Sequence, residues 1–256
     1  MMKQVLLLVL PILAAHYSAT AQKSFKKSLS GITRVEIHAE TAVEISRSTG
    51  NEIVITPNGM EDVEDEKAKG LKPLYPGGTD NTGIGFKMQQ NGETLVLTDL
   101  KSHVNRSGLV IKLPSTVSLN LDCGNLGHAE ISGWSSELEI KTNVGEITLN
   151  DVTGPITAHS STGTIKVRFS QVSQSAPISI ASSTGDIDVA IPEKTNATVE
   201  LKSVVGGVFS AFDLIPARQD GLKPISGHKS IEGKINNGGV KISLRASTGN
   251  IYLRKK

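Results

Sequence analysis

Asp186 and Asp188 are the pair best placed to do chemistry. They stand two apart in S-S-T-G-D-I-D-V, residues 182–189. On an extended strand that spacing puts both carboxylates on one face, about 7 Å apart. Carboxylates held so can serve glycoside hydrolysis or bind a cation. The same string recurs, however, and its copies argue against a site. It reads T-N-V-G-E-I-T-L at 142–149, S-S-T-G-T-I-K-V at 160–167 and A-S-T-G-N-I-Y-L at 246–253. The Asp186 position becomes Glu146, Thr164 or Asn250, and the Asp188 position Thr148, Lys166 or Tyr252. So mixed an outward column reads as solvated surface.

Other chemistry is sparse. There is no G-x-S-x-G elbow, H-E-x-x-H pair, P-loop or dinucleotide fingerprint, and no tandem Gly-Gly-x-Gly-x-Asp calcium repeat. Cys123 is the single cysteine, so no internal disulfide forms, and it reads as a small buried apolar residue. The acidic run Glu61-Asp62-Val63-Glu64-Asp65-Glu66 reads as a hydrated loop. Tyr75, Phe86 and Phe212 lie in or beside irregular segments and are the candidate ligand contacts; core or cap packing explains them equally well. No catalytic residue, metal ligand set or cofactor is called for.

The elements behind these residues follow from the glycines. Gly127, Gly145 and Gly163 are 18 apart, Gly163 to Gly185 is 22, and Gly185 to Gly206 is 21. Each is followed by alternating apolar and polar positions, the signature of a half-buried strand. Looser copies are I-N-N-G-G-V-K-I at 235–242 and K-S-V-V-G-G-V-F at 202–209. Units of this length cannot bury a face alone and must stack. The expected architecture is all-β, a parallel β-helix-like solenoid of short strands with Gly corners. An antiparallel β-sandwich is the alternative. In the solenoid, Ile147, Ile165, Ile187 and Ile251 form one inward column, and Leu149, Val167, Val189 and Leu253 the next. Position 166 then pairs with 188, with Lys166 and Asp188 close enough for an exposed ion pair.

Two stretches break the rhythm, at about 57–93 and 212–234, and both contain Gly-Leu-Lys-Pro. They are either caps over exposed edge strands or ligand-contact segments. Residues 1–21 read as a signal peptide, with Lys3, an apolar run from Val5 to Ala15, and Ala19-Thr20-Ala21 before a mature start at Gln22. Residues 22–256 form one domain, with no transmembrane segment expected in it. A net charge of +2 over 256 residues excludes a nucleic-acid binder that works through bulk charge.

The export signal, the S-S-T-G-D-I-D-V repeats and the D-N-T-G-I-G-F stretch at 80–86 together resemble the adhesins of bacterial envelopes. These are β-strand-repeat proteins related to the head GIN domain. The resemblance covers most of residues 30–254. It implies a parallel β-helix-like body, a periplasmic, outer-membrane-surface or extracellular setting, and no catalytic residues to carry over. The function expected is an exported, non-enzymatic binding or structural module meeting an envelope protein or glycan. A polysaccharide-active enzyme on a β-helix scaffold, or an accessory of an envelope-stress system, is the alternative. Neither partner identity nor oligomeric state is readable.

Overall fold

The computed structural model describes residues 23–58, 66–101, 108–216 and 230–256. The signal peptide, Gln22 and residues 61–65 of the acidic run lie outside the described residues. So does the second Gly-Leu-Lys-Pro at 221–224. Among the described residues there are twenty-one strands, one 3-10 turn at Glu66–Ala68 and no α-helix. The strands form one ten-stranded and one eleven-stranded sheet.

From Ser118 onward each coil gives one strand to each sheet, and a corner glycine turns the chain between them. Ile156–Thr162 runs in the larger sheet, Gly163 turns, and Ile165–Phe169 runs in the smaller. The next coil repeats this with Ile178–Thr184, Gly185 and Ile187–Ile191. Matching strands are parallel and in register: Ile165 lies beside Ile187, Lys166 beside Asp188, and Val167 beside Val189. Ile147 and Leu149 continue both columns on one side, and Ile251 and Leu253 on the other. All eight side chains are buried. The parallel ladder is the solenoid expectation, and the sandwich alternative falls with it; antiparallel pairs occur only toward the ends.

Glycine at the corner is a packing requirement. A Cβ on Gly163 would overlap the Gly145 carbonyl oxygen, and one on Gly185 that of Gly163, at φ of +148° and +137°. Successive coils therefore touch backbone to backbone. The residue three before each glycine completes the contact. Thr142, Ser160, Ser182 and Ser203 donate their hydroxyls to the carbonyls of Gly127, Gly145, Gly163 and Gly249, at 2.6, 3.1, 3.2 and 2.8 Å. The conserved-looking Ser/Thr of the string is thus an inward bond to the coil before, not a surface polar residue. The C-terminal coil carries buried Ala246 there instead.

The stack does not follow chain order at either end. The C-terminal coil, Val240–Thr248 with Ile251–Lys255, slots between the coil at 178–191 and the coil formed by Ala197–Val205 with Val208–Ser210. At the other end, Arg34–His38 and Val43–Arg47 slot between Thr94–Asp99/Gly108–Leu113 and Ser118–Asp122/Ala129–Ser132. The glycine spacing reads Gly206 as the coil after Gly185; the structure puts the Gly249 coil there.

The irregular segments close the ends. Phe25–Ser28 and Glu52–Asn58 extend the smaller sheet, and Phe86–Asn91 pairs antiparallel with Thr94–Asp99 in the larger. Ile84 and Phe86 plug the core there. Asp80 holds that plug: its carboxylate accepts from the N–H groups of Thr82, Gly83 and Gly85 and from the Thr82 hydroxyl, all at 2.8–2.9 Å. At the far end Ile231–Ile235 and Ile215–Pro216 add antiparallel strands to the larger sheet.

Candidate functional site

The carboxylates singled out in the sequence are each bound to a different partner. Asp188 Oδ1 lies 3.0 Å from Arg168 Nη1 and 2.9 Å from Arg254 Nε. Partial burial pushes its carboxyl up, but the hydrogen bonds and charges of the two arginines outweigh that and hold it below the ordinary value. Asp186 accepts the Asn250 N–H at 2.7 Å. Glu146 pairs with Lys166 at 3.5 Å. Register 166–188 is as expected, yet the Lys166–Asp188 ion pair is not formed. Arginines one column over reach Asp188 from the coils on both sides, and Lys166 turns back to Glu146. A general acid needs a carboxyl raised toward neutrality, and Asp188 moves the other way.

Asp99 is raised, because burial and the Glu40 charge outweigh the N–H groups of Lys101 and Glu40. It ends the strand Thr94–Asp99 at the N-terminal end, several coils from Asp188. Among the described residues no three His, Cys, Asp or Glu side chains gather as a metal site. Cys123 is buried, and burial together with Asp122 pushes its thiol up to about 12, so it is no nucleophile at neutral pH.

Of the expected ring contacts, Phe86 is 2% exposed in the N-terminal plug, and Phe212 is 8% exposed at the opposite end, beneath Lys255 Nζ. Tyr75 is half-buried, bridged to Gly78. The three do not meet. The exposed ring is another: Phe209 stacks on half-buried Tyr252 at 5.3 Å, with the Arg254 guanidinium 5.1 Å from the Tyr252 centroid. Phe209 and Tyr252 occupy the Asp188 position of the last two coils, so the repeat alignment could have found them.

The longest coherent surface runs along the corners. The residue before each corner glycine is Leu126, Val144, Thr162, Thr184, Thr248 and Val205 in stack order. Strand pairing sets Val144 beside Thr162, then Thr184, then Thr248, then Val205. All six are exposed. One position earlier stand Asn125, Asn143, Ser161, Ser183, Ser247 and Val204, and Asn143 Nδ2 donates to Asn125 Oδ1 at 2.7 Å. Twelve positions carry no charge. Five coil steps of about 4.8 Å make this ridge about 24 Å long. It presents methyl groups and hydroxyls at a fixed spacing, with aliphatic ends and Phe209 beside one of them. Sequence reading missed it because each copy alone shows only one uncharged residue, Thr, Val or Leu, in a turn.

Comparison with known proteins fits this architecture. The family model described as Toastrack DUF4097 matches residues 93–254. No curated protein matches. Two crystal structures are similar. One, provisionally named a cell adhesion protein of Clostridium sporogenes ATCC 15579, has a TM-score of 0.44 and 12% identity over 91% of this chain and 99% of that one. The other, provisionally named an adhesin of Bacteroides fragilis NCTC 9343, has a TM-score of 0.43 and 14% identity over 91% of this chain and 96% of that one.

Proposed function

This chain belongs to the Toastrack DUF4097 family, and from that premise we propose that it is an exported, non-enzymatic binding module of the bacterial envelope, adhesin-like in action. The neutral corner ridge from Leu126 to Val205 carries the reading. A ridge fixed by backbone stacking is rigid before contact, so little ordering entropy opposes binding. Its lack of charge fits an uncharged partner surface, such as a neutral glycan or an envelope protein. The export signal at 1–21 and the kinship to head GIN domain proteins belong to the same reading.

The test is adhesion of beads coated with the exported chain to envelope material. Val144→Lys with Val205→Lys puts charge at two places on the ridge without touching the core. Adhesion should fall about tenfold or more while the melting midpoint holds. Equal adhesion by the variant would sink the ridge as the contact. Release of reducing ends from envelope glycans, abolished by Asp188→Asn, would instead establish the polysaccharide-active alternative.

A further inference from the structure

The most exposed large apolar side chains lie far from the ridge. Leu74 is 94% exposed and Leu71 is 72% exposed. They sit in A-K-G-L-K-P-L-Y-P-G-G, residues 68–78, with Lys69 and Lys72 exposed between and beside them. The Leu71 N–H bonds to the Ala68 carbonyl at 2.9 Å, and the Gly78 N–H to that of Tyr75 at 3.2 Å. The leucines are therefore displayed by a turned loop.

The loop has a definite place. It follows Glu52–Asn58, next to the outer edge of the smaller sheet, and precedes Phe86–Asn91, the outermost strand of the larger. A Cβ on Gly77 would meet Leu100 Cδ2, so the loop ends against the N-terminal end of the stack. Lys87 lies alongside Gly78, and Lys23 alongside Gly83. Among the described residues, Lys23, Lys69, Lys72 and Lys87 have no carboxylate partner. Lys23 also leads into Phe25–Ser28, the outermost strand of the smaller sheet at this end. This end lies outside the residues matched by the family.

We propose that the N-terminal end of the stack docks on a bilayer bearing anionic headgroups. Leu71 and Leu74 enter the acyl boundary, and Lys23, Lys69, Lys72 and Lys87 stand at phosphate level. A projecting tip with two nearly bare leucines suits a fluid bilayer, which closes around it, better than a protein face, which must be pre-shaped to it. Apolar insertion and lysine attraction add at such a surface. Glu66 and the carboxylates at 61–65 precede the loop in sequence, five against Lys67, Lys69 and Lys72 within 61–78, so the leucines supply most of the affinity and the lysines only a local headgroup preference. Docked this way, the stack stands with its C-terminal coils away from the membrane. The inference goes beyond the adhesive reading and stands without it.

The exported chain is sedimented with phosphatidylcholine vesicles, with and without phosphatidylglycerol. It should bind the anionic vesicles, and more weakly as salt rises. L71S/L74S should lower binding about tenfold or more. K69E/K72E should erase the preference for phosphatidylglycerol. V144S/V205S, on the ridge, should bind as the parent does, so failure here is separable from failure of the ridge reading. Both leucines are exposed, so unchanged melting midpoints are expected and checked. No binding to anionic vesicles, or binding indifferent to L71S/L74S, overturns the proposal.

Discussion

The middle of the stack and its C-terminal end share apolar columns, but the coil inserted at the end carries more charged ties. In the middle, like stacks on like: Ile147, Ile165 and Ile187 in one column, Leu149, Val167 and Val189 in the next. At the end the inserted coil is also tied by charge on both sides. Arg254 reaches down to Asp188, while Lys241 and Arg245 reach up to Glu200 at 2.8 and 2.6 Å. Lys255 and Lys256 clasp Glu193 and Asp151. Apolar columns accept any coil with the same alternation, so they set register without choosing neighbours. If 197–205 followed 178–184 directly, Glu200 would face Ser179 and lose both cations. Exposed pairs of this kind contribute little energy, but they distinguish one stacking order from another.

That contrast can be broken at several strengths. Deleting residues 251–256 removes a strand paired on both sides, Ile251–Lys255. Loss of cooperative unfolding by calorimetry is expected, although only six residues go; a native-like melt would mean that the end coil is dispensable. Ile165→Asp places an unpaired charge in the central column and should cost more than about 4 kcal/mol in denaturant titration. Gly163→Ala meets a backbone carbonyl at a left-handed φ and should cost about 2–4 kcal/mol. A neutral result there would separate the coils that the glycine column joins.

Asp188→Asn tests the charged tie. The pair is partly solvated, so about 0.5–1 kcal/mol is expected at neutral pH. The folded-state carboxyl lies below its ordinary 3.8. Its contribution is therefore complete above about pH 4 and fades as pH falls through the lower folded value. Stability curves of parent and variant should converge in acid; a constant gap would assign the effect to packing. Lys166→Ser is the smallest change, within about 0.5 kcal/mol, because Lys166 is exposed and its pairing with Glu146 is long.

The columns were legible because the corner glycine fixes where each period-2 pattern starts. Gly163 and Gly185 alone place Lys166 beside Asp188. The ion pair was not legible, because Arg168 and Arg254 act across columns that a repeat alignment treats as independent. Coil order was hidden for the reason the ends differ from the middle: the string marks membership of the stack but carries no address. At the N-terminal end Arg34–His38 and Val43–Arg47 turn without a corner glycine, so even membership was invisible. The ridge was hidden because its meaning lies in the sixfold repetition of an ordinary turn residue.

The slot filled by residues 240–255 has a consequence in time. A chain made from its N-terminus has 178–191 and 197–210 on hand before the strands that join them exist. Until residues 240–255 arrive, each waits with an open edge on the side meant for them, and open edges pair with whatever strand is near. Completion thus waits on residues 240–255, which follow both of their neighbours in the chain. A chain delivered whole and unfolded to its compartment meets that demand, because first and last coils then become available together. A chain that lacks 240–255 does not fold a little less; it keeps the gap.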